Sequence, residues 1–184
     1  MINSDKLNLG SGNNIKKNYL NIDFKQNEGV DVVHNLNEYP WPFKDYAFNE
    51  ILAENVIEHL DNFLNAMEEI HRISSKNAKV KISVPYWNSS FAYIDPTHKR
   101  SFHELTFSFF DPSSSYCKER PYYTKARFKV KSFSYIISPF APYISFPFIK
   151  QIEIKNKILK KIIGLIGNIF SNIILELRVE LERV

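Results

Sequence analysis

The stretch KLNLGSGNNIKKNYLNIDF, residues 6–24, decides the fold. It reads as a short apolar strand with Leu7 and Leu9, a glycine turn at residues 10–12, a polar loop, and a second strand that ends at Asp23. Glycines at the end of a strand let a ligand approach the backbone closely, since no Cβ stands in the way. An acid at the tip of the neighbouring strand can accept hydrogen bonds from a ribose diol. The stretch predicts a nucleoside-type cofactor across two parallel strands.

The spacing within this stretch separates classes of cofactor. Dinucleotide-binding turns carry three glycines, and their acid follows about 20 residues later. Here Ile15 stands where the third glycine would be, and Asp23 follows Gly12 too soon for that pattern. A cofactor without phosphates therefore fits better than a nicotinamide dinucleotide, and a nicotinamide-dependent oxidoreductase is disfavoured.

The composition is ordinary for a globular protein. The 184 residues are 44% hydrophobic and 24% charged, with a net charge of +4, and the length suits one domain. The one cysteine, Cys117, excludes an internal disulfide and suits a reducing compartment. No apolar run reaches about 18 residues, and the chain enters a strand almost at once. We therefore expect a cytoplasmic protein with no signal peptide and no membrane span.

The first half alternates strands with connections, which is typical of the α/β class. Beyond the opening stretch we predict strands at 30–33, 48–53 and 79–84, a proline-broken loop at 38–45, and a helix at 61–73 with Asp61 as N-cap. Only about eight residues separate Gly10 from Tyr19, whereas a parallel crossover normally takes a dozen or more. Either the first helix is reduced to a turn, or the first two strands pair differently.

The second half is aromatic and broken by prolines. We predict a short helical stretch at 102–110, a strand at 127–137, an apolar loop at 138–148, an amphipathic helix at 152–174, and a last, antiparallel strand at 175–184. The chain then reads as a single domain. Residues 1–85 form its cofactor-binding half, 86–150 an acceptor-site insert with loops, and 151–184 a C-terminal helix and last strand.

Several motifs together resemble a known family. LNLGSG, NID, the PFxxxxFxEI strand, VIEHL and the terminal ELRVEL are similar to the class I S-adenosylmethionine-dependent methyltransferases, and more narrowly to the small group with an EHL motif (methyltransferase type 11-like). The resemblance covers about residues 6–110 and the last strand. It implies a Rossmann-like, doubly wound, mostly parallel sheet with a C-terminal antiparallel strand, here with a trimmed first helix. It also implies S-adenosyl-L-methionine as cofactor.

The resemblance assigns cofactor contacts position by position. Gly10 and Gly12 would lie under the methionine part, Asp23 would hold the ribose hydroxyls, and Glu54 would face the sulfonium. Where the family has an acid before leucine to bind the adenine amino group, this chain has an amide that can still accept through its carbonyl. The implied cofactor-binding residues are Gly10, Ser11, Gly12, Asp23, Asn35, Leu36 and Glu54.

Candidate catalytic residues lie in two motifs. His98 stands in Asp95-Pro96-Thr97-His98-Lys99-Arg100, just after the fifth strand, where open sheets face their ligand crevice. We therefore predict that Asp95, His98 and Arg100 belong to the acceptor site, with a salt-bridged loop as the alternative. His59, in the EHL motif after the fourth strand, is the second candidate base.

The EHL motif raises the question of a metal. Ubiquinone-pathway O-methyltransferases bind a divalent metal through an ExxEH pattern at this place. Here Asn55 replaces the first carboxylate, so we predict no metal. The alternative to catalysis is that Glu58 and His59 cap and orient the following helix.

The acceptor is expected to be a small molecule that is O-methylated, such as a glycan or secondary-metabolite precursor. Asn35, Asn49 and Asn55 stand where the family usually has acids, and residues 74–77 lack the family's Gly-Gly turn, which Asn77 can make in the left-handed region. A non-catalytic binding or scaffold protein on the same fold therefore remains the alternative.

Two basic segments bear on partners. Lysines at 155–161 precede an apolar run, so residues 155–170 could contact a membrane surface, although a helix that covers the sheet or a homodimer seam is commoner. Residues 118–131 are basic with two tyrosines and could meet RNA. We expect a solvated face or an acidic small substrate there instead, and no nucleic acid.

Overall fold

One sheet contains every strand of the residues that this computed structural model describes, 4–137 and 151–184. Its order is β3-β2-β1-β4-β5-β8-β6-β7. The strands are β1 Lys6–Leu9, β2 Leu20–Asp23, β3 Val32–Val33, β4 Phe48–Glu54, β5 Ser74–Pro85, β6 Phe128–Ile137, β7 Ile152–Ile154 and β8 Glu176–Arg183. Strands β1 to β5 are parallel, and β8 runs antiparallel between β5 and β6. The predicted Rossmann-like, doubly wound sheet is confirmed.

Four α-helices and two 3-10 segments accompany the sheet in the described ranges. They are α1 Phe63–Ile73, α2 Phe91–Ile94, α3 Ser115–Glu119 and α4 Lys157–Ile169, with 3-10 turns at Ile57–His59 and Glu104–Phe110. None of these described helices is long and apolar enough to cross a bilayer. The predicted apolar loop at 138–148 lies outside the described residues.

The predicted cap of α1 is wrong by one residue. Asn62 is the N-cap, and its side chain accepts a hydrogen bond from the Asn65 N–H at 3.0 Å. Asp61 instead forms an ion pair with Lys99. Either residue type can cap a helix, so the sequence alone did not separate them.

The predicted helix at 152–174 is too long. Residues Ile152–Ile154 form β7 and pair with β6, with Ile154 opposite Tyr135. Asn156 then caps α4, because its side chain accepts from the N–H groups of Ile158 and Leu159.

No crossover helix joins β1 to β2 in this described part of the chain. The two strands are nevertheless parallel, with Leu7 opposite Leu20. Buried side-chain amides hold the connection: the Asn8 amide donates to the Asn14 carbonyl at 3.0 Å and to Asn21 Oδ1 at 2.9 Å, and Asn21 Oδ1 also accepts from the Lys16 N–H. The first helix is therefore reduced to a turn, as the short spacing allowed.

The core lies on one face of the sheet. Alternate side chains of β4, β5 and β8, such as Ile51, Ile82 and Val179, are buried there with the apolar faces of the helices. The opposite face carries charged side chains, where Glu50 pairs with Lys6 at 3.3 Å and with Lys81 at 2.5 Å. The lysines of these pairs are partly exposed, at 42% for Lys6 and 47% for Lys81.

Candidate active site

The glycine turn meets the chain that follows β4. Gly10 has φ +57°, and a Cβ there would lie 2.3 Å from Val56 Cγ2. Gly12 has φ +50°, but a Cβ there would have nothing within 4 Å. Gly10 is therefore needed for close packing, whereas Gly12 faces open space in which a ligand can lie against the backbone.

Asp23 is buried beside this turn, at the end of β2. Its Oδ2 accepts the Gly12 N–H at 2.8 Å, and its Oδ1 accepts the Lys25 N–H at 3.1 Å. A carboxylate offers about four lone-pair sites, so both oxygens can still accept a ribose hydroxyl. The buried Ser11 hydroxyl has no hydrogen-bond partner in the described part of the chain. The donor and acceptor set therefore fits a nucleoside cofactor.

Asn35 and Leu36 follow β3 in a self-contained loop. The Asn35 Oδ1 accepts the Asn37 N–H at 3.1 Å, and its Nδ2 donates to Glu38 Oε1 at 3.1 Å. The Leu36 side chain is buried in the core, while its carbonyl accepts the Trp41 indole N–H at 3.0 Å. The adenine contact of these two residues stays a prediction.

Glu54, at the end of β4, ties that strand to the loop after the glycines. Its Oε2 accepts from Asn14 Nδ2 at 2.8 Å and pairs with Lys16 Nζ at 2.9 Å. The carboxylate therefore stabilises the polar loop between β1 and β2.

The two motifs with candidate bases come together in space. Glu58, His59 and His98 each place a ligand atom within 4.8 Å of the others. The rings of His59 and His98 are 4.6 Å apart between centroids, and His98 Nε2 lies 4.0 Å from Glu58 Oε1. Glu58 is 0% exposed, and neither of its carboxylate oxygens has a hydrogen-bond partner in the described structure.

Hydrogen bonds to backbone and hydroxyl groups set the tautomers of both histidines. His98 Nδ1 lies 3.2 Å from the Ala92 carbonyl, which can only accept, so Nδ1 carries the proton. The Thr97 hydroxyl donates to Asp95 at 2.6 Å, so it accepts from His59 Nδ1 at 2.8 Å. Each neutral ring therefore has an unprotonated Nε2. Asp95 acts on His59 through Thr97 as a positioning residue.

Burial shapes the acid–base behaviour of this cluster. Loss of solvent raises the pKa of Glu58 to about 7, and the negative charges of Glu176 and Asp95 add to that shift. Burial also lowers the pKa of His59, and the neighbouring His98 lowers it further. Glu58 therefore titrates near neutral pH, the range that general acid–base chemistry requires.

A cavity of about 350 Å³ opens beside the cluster. It lies at the carboxyl ends of β4 and β5, and its lining includes Glu58, Pro85, Phe91, Ile94, Asp95 and His98. Val56, which packs on Gly10, precedes Glu58 by two residues, so the cavity and the glycine turn are neighbours. Open α/β sheets bind ligands at this edge.

Arg100 fixes the loop that carries His98. Its Nη2 donates to the carbonyls of Leu60 at 3.0 Å and Asp61 at 2.8 Å. Arg100, which we predicted in the acceptor site, is therefore directed at the backbone that follows the EHL motif, and it serves to position His98.

A backbone contact strengthens the same attachment. The Lys99 N–H donates to the Glu58 carbonyl at 2.9 Å. This hydrogen bond joins two main chains, so it holds the DPTHKR loop against the EHL segment whatever the side chains do. The two candidate motifs, 35 residues or more apart in the chain, are thereby fixed as one unit.

Glu58 was not among the catalytic residues that we predicted from the sequence. The capping role does not fit the structure, because Asn62 caps α1 and the Glu58 carboxylate has no hydrogen bond in the described structure. Its signal in the sequence is a lone acid between the apolar Ile57 and Leu60.

The same three side chains have the chemistry of metal ligands. Two neutral imidazoles and one carboxylate suit a divalent transition metal, and the second nitrogen of each ring is already held by a hydrogen bond. The prediction of no metal is not tested by this arrangement.

Comparison with known proteins supports the architecture. No protein-family model and no curated protein sequence matches the chain. A SAM-dependent methyltransferase from Archaeoglobus fulgidus has a TM-score of 0.61 at 17% identity, over 97% of this chain and 85% of that one. A possible histamine N-methyltransferase from Thermotoga maritima has 0.58 at 14%, over 95% and 80%. YcgJ from Bacillus subtilis has 0.57 at 12%, over 97% and 90%.

Proposed function

Because the chain has the fold of the class I S-adenosylmethionine-dependent methyltransferases, we propose that it binds S-adenosyl-L-methionine at the glycine turn and methylates a small molecule in the cavity beside Glu58. The observation that carries the proposal is the buried, unpartnered carboxylate of Glu58 in the described structure, which lines that cavity next to the turn. A group with a pKa near 7 at a strand's carboxyl end is a candidate for proton transfer.

The cofactor-binding residues are assigned as follows. Gly12 leaves open space above the turn, Asp23 has free lone pairs for the ribose hydroxyls, and the Ser11 hydroxyl can pair with a polar group of the ligand. We assign Asn35 and Leu36 to the adenine side of the cofactor and Glu54 to its sulfonium side. When bound, the cofactor supplies an electrophilic methyl group, so the protein has chiefly to align the acceptor and exclude water.

Glu58 and His98 form the proton-accepting pair. When a hydroxylated acceptor is methylated with the cofactor bound, the ionised Glu58 carboxylate or the unprotonated His98 Nε2 would accept the hydroxyl proton, and the cofactor would leave as a neutral thioether. When Glu58 is ionised, lone pairs on its carboxylate and on Nε2 of both histidines converge with no donor of the described chain among them, so a hydroxyl donor from an acceptor suits the site. O-methylation is the reaction for which such a base is useful.

A methyl-transfer assay tests the proposal. Purified protein with labelled cofactor and a panel of hydroxylated acceptors should give labelled product, and Glu58→Gln should lower the rate about a hundredfold or more, as expected for loss of a general base. Glu119→Gln, at the end of α3, where the carboxylate pairs among the described residues only with the surface residue Arg120, is the matched control and should keep the rate. Calorimetry that detects no cofactor binding by the unmutated protein would exclude the proposal.

A non-catalytic binding protein is the second candidate. The observation that favours it is Asn35, whose amide is used within its own loop where the family has an acid. Cofactor binding without turnover over the whole acceptor panel would select this candidate. A crystal soaked with cofactor and acceptor would separate the two, because only an enzyme should place a hydroxyl beside Glu58.

A further inference from the structure

Helix α4 presents apolar side chains to solvent. Ile158, Ile162, Leu165 and Ile169 share one face and are 72%, 50%, 65% and 68% exposed. The opposite face is buried: a Cβ at Gly164 would lie 3.3 Å from the Tyr135 hydroxyl. The helix is therefore apolar on both sides, and the described residues cover only one of them.

Lysines flank this outward face. A cavity of about 740 Å³ beside α4 is lined by Lys131, Lys155, Lys157, Lys160 and Lys161. Three of these are engaged: Lys131 pairs with Glu182, Lys155 with Glu153, and Lys160 donates to the Phe133 carbonyl. Lys157 and Lys161 lie one turn apart beside the apolar face, and the described residues give neither an ion-pair partner. The described cavity lining holds five lysines and one acid, Glu104, so positive charge is in excess there.

Helix α2, which lines the cavity beside Glu58, begins near the end of α4. The Asn88 amide donates to the Gly167 carbonyl at 2.7 Å, and the Ser90 N–H donates to Asn172 Oδ1 at 2.6 Å, so α2 begins beside the end of α4. Phe91 and Ile94 of α2 are 40% and 60% exposed, and both also line the cavity beside Glu58. Exposed apolar side chains of α4 and α2 thus lie near each other, and those of α2 line that cavity.

We propose that α4 docks on an anionic lipid bilayer. The outward apolar side chains enter the boundary between headgroups and acyl chains, and Lys157 and Lys161 meet lipid phosphates. The acceptor then enters the cavity beside Glu58 from the membrane surface, and this second part rests on the proposed function.

A second copy of the chain fits this face less well. A two-fold dimer places the same patch opposite itself, so these lysines of both copies, for which the described residues provide no acid, would face each other. An anionic bilayer supplies the negative charge that a second copy lacks.

Vesicle flotation tests the docking. The full chain should float with vesicles of equimolar phosphatidylcholine and phosphatidylglycerol, less so as salt rises, and not with phosphatidylcholine alone.

Lys157→Ser with Lys161→Ser should weaken binding about 25-fold, from roughly fivefold for each lysine near an anionic surface. Ile162→Asp with Leu165→Asp should abolish it. Val33→Asp, at an equally exposed 50% position on the edge strand β3, should leave it unchanged.

Three results would overturn the docking proposal: folded protein that stays unbound to anionic vesicles, equal binding to neutral vesicles, or a lipid-free dimer that Ile162→Asp dissociates. Circular dichroism confirms that each variant is folded. Because flotation needs neither cofactor nor turnover, its failure leaves the methyltransferase proposal standing. Glu58→Gln should float like the unmutated protein while losing methyl transfer.

Discussion

Glu58 is an ionisable residue in a fully buried position. A buried carboxylate without a hydrogen bond from the described chain is unfavourable to folding, and the native state therefore prefers its protonated form. Such a cost is commonly retained where a group does chemistry.

The pKa of Glu58 makes stability depend on pH. The pKa is about 7 in the native state against the ordinary 4.5, so the native state binds more protons than the unfolded chain between these values. The free energy of unfolding should therefore fall as pH rises from about 4.5 to 7, by on the order of 3 kcal/mol. Urea denaturation at pH 5 and pH 8 measures this difference.

Glu58→Gln is the control for that pH dependence, because it keeps the shape and removes the titration. The variant should be the more stable of the two at pH 8, with a flatter pH profile. An unchanged profile in the variant would place the titrating group elsewhere.

The two glycines of the turn should respond differently to alanine. Gly10→Ala should destabilise the fold by about 2 kcal/mol or more, because its Cβ meets Val56 and φ is positive. Gly12→Ala should cost only about 1 kcal/mol for its positive φ, but it should weaken cofactor binding about tenfold or more by filling the ligand's space. Thermal unfolding and calorimetry on the same samples separate the effects. Equal loss of cofactor binding with an intact fold in both variants would contradict this division.

Asp23→Asn tests the ribose contact. The amide oxygen can still accept one N–H bond, but the charge-assisted bonds to the hydroxyls are lost, so affinity should fall by about tenfold to a hundredfold. Asp45→Asn, which lies before β4 at the opposite edge of the sheet, is the control. Unchanged affinity in Asp23→Asn, measured by calorimetry, would remove Asp23 from the site.

Residue-level prediction succeeded where backbone geometry dictates the residue. Gly10 and Gly12 do adopt positive φ, and so does Asn77 in the turn that lacks glycine. It was incomplete for Glu58, because burial without a partner depends on the DPTHKR loop, which packs on it from a distant part of the sequence.

Among the elements, the loop between β5 and the 3-10 segment Glu104–Phe110 depends most on a single side chain. Arg100 Nη2 donates to both the Leu60 and the Asp61 carbonyls, and the shorter side chain of Arg100→Lys places its ammonium away from that position. We expect the turnover number to fall about tenfold, as for a slightly misplaced catalytic group, while the dissociation constant of the cofactor stays unchanged. Arg120→Lys, on the surface after α3, should change neither. A loss of cofactor binding equal to the loss of turnover would show that Arg100 supports the whole fold instead.

Element boundaries show where periodicity stops being informative. Residues 152–174 contain apolar side chains at helical spacing, yet Ile152–Ile154 pairs with β6 instead. A run of three residues fits a strand pattern and a helix pattern equally well. Here pairing with β6 makes these residues a strand. The long alternating runs of β6 and β8 carried enough residues to be predicted correctly.

For the whole molecule, β8 joins the two ends of the sheet. It pairs with β5 from Lys79 to Pro85 and with β6 from Phe128 to Ile136, so it lies between the cofactor-binding half and the C-terminal part. The order of the strands was predictable from the resemblance. The charged face of the sheet was not predictable, because the pairs Glu50–Lys6 and Glu50–Lys81 join strands that lie far apart in the sequence.

A core substitution in β8 should therefore destabilise the cofactor-binding half and the C-terminal part of the sheet equally. Leu177 is 0% exposed, and Leu177→Ala should cost about 2–5 kcal/mol. Unfolding by denaturant can be followed by the fluorescence of Trp41 in the variant Trp87→Phe, and by that of Trp87 in the variant Trp41→Phe. The two probes should give the same shift of the midpoint. Two separate midpoints would mean that the halves unfold independently.

The central place of β8 also has a consequence for synthesis of the protein. While a ribosome is still translating residues 176–183, the nascent chain already exposes the open edges of β5 and β6, each ready to pair with another chain. Contacts of such long sequence separation form slowly, and unpaired edges aggregate. The protein should therefore need a chaperone, or rapid release from the ribosome, to reach its native state in good yield.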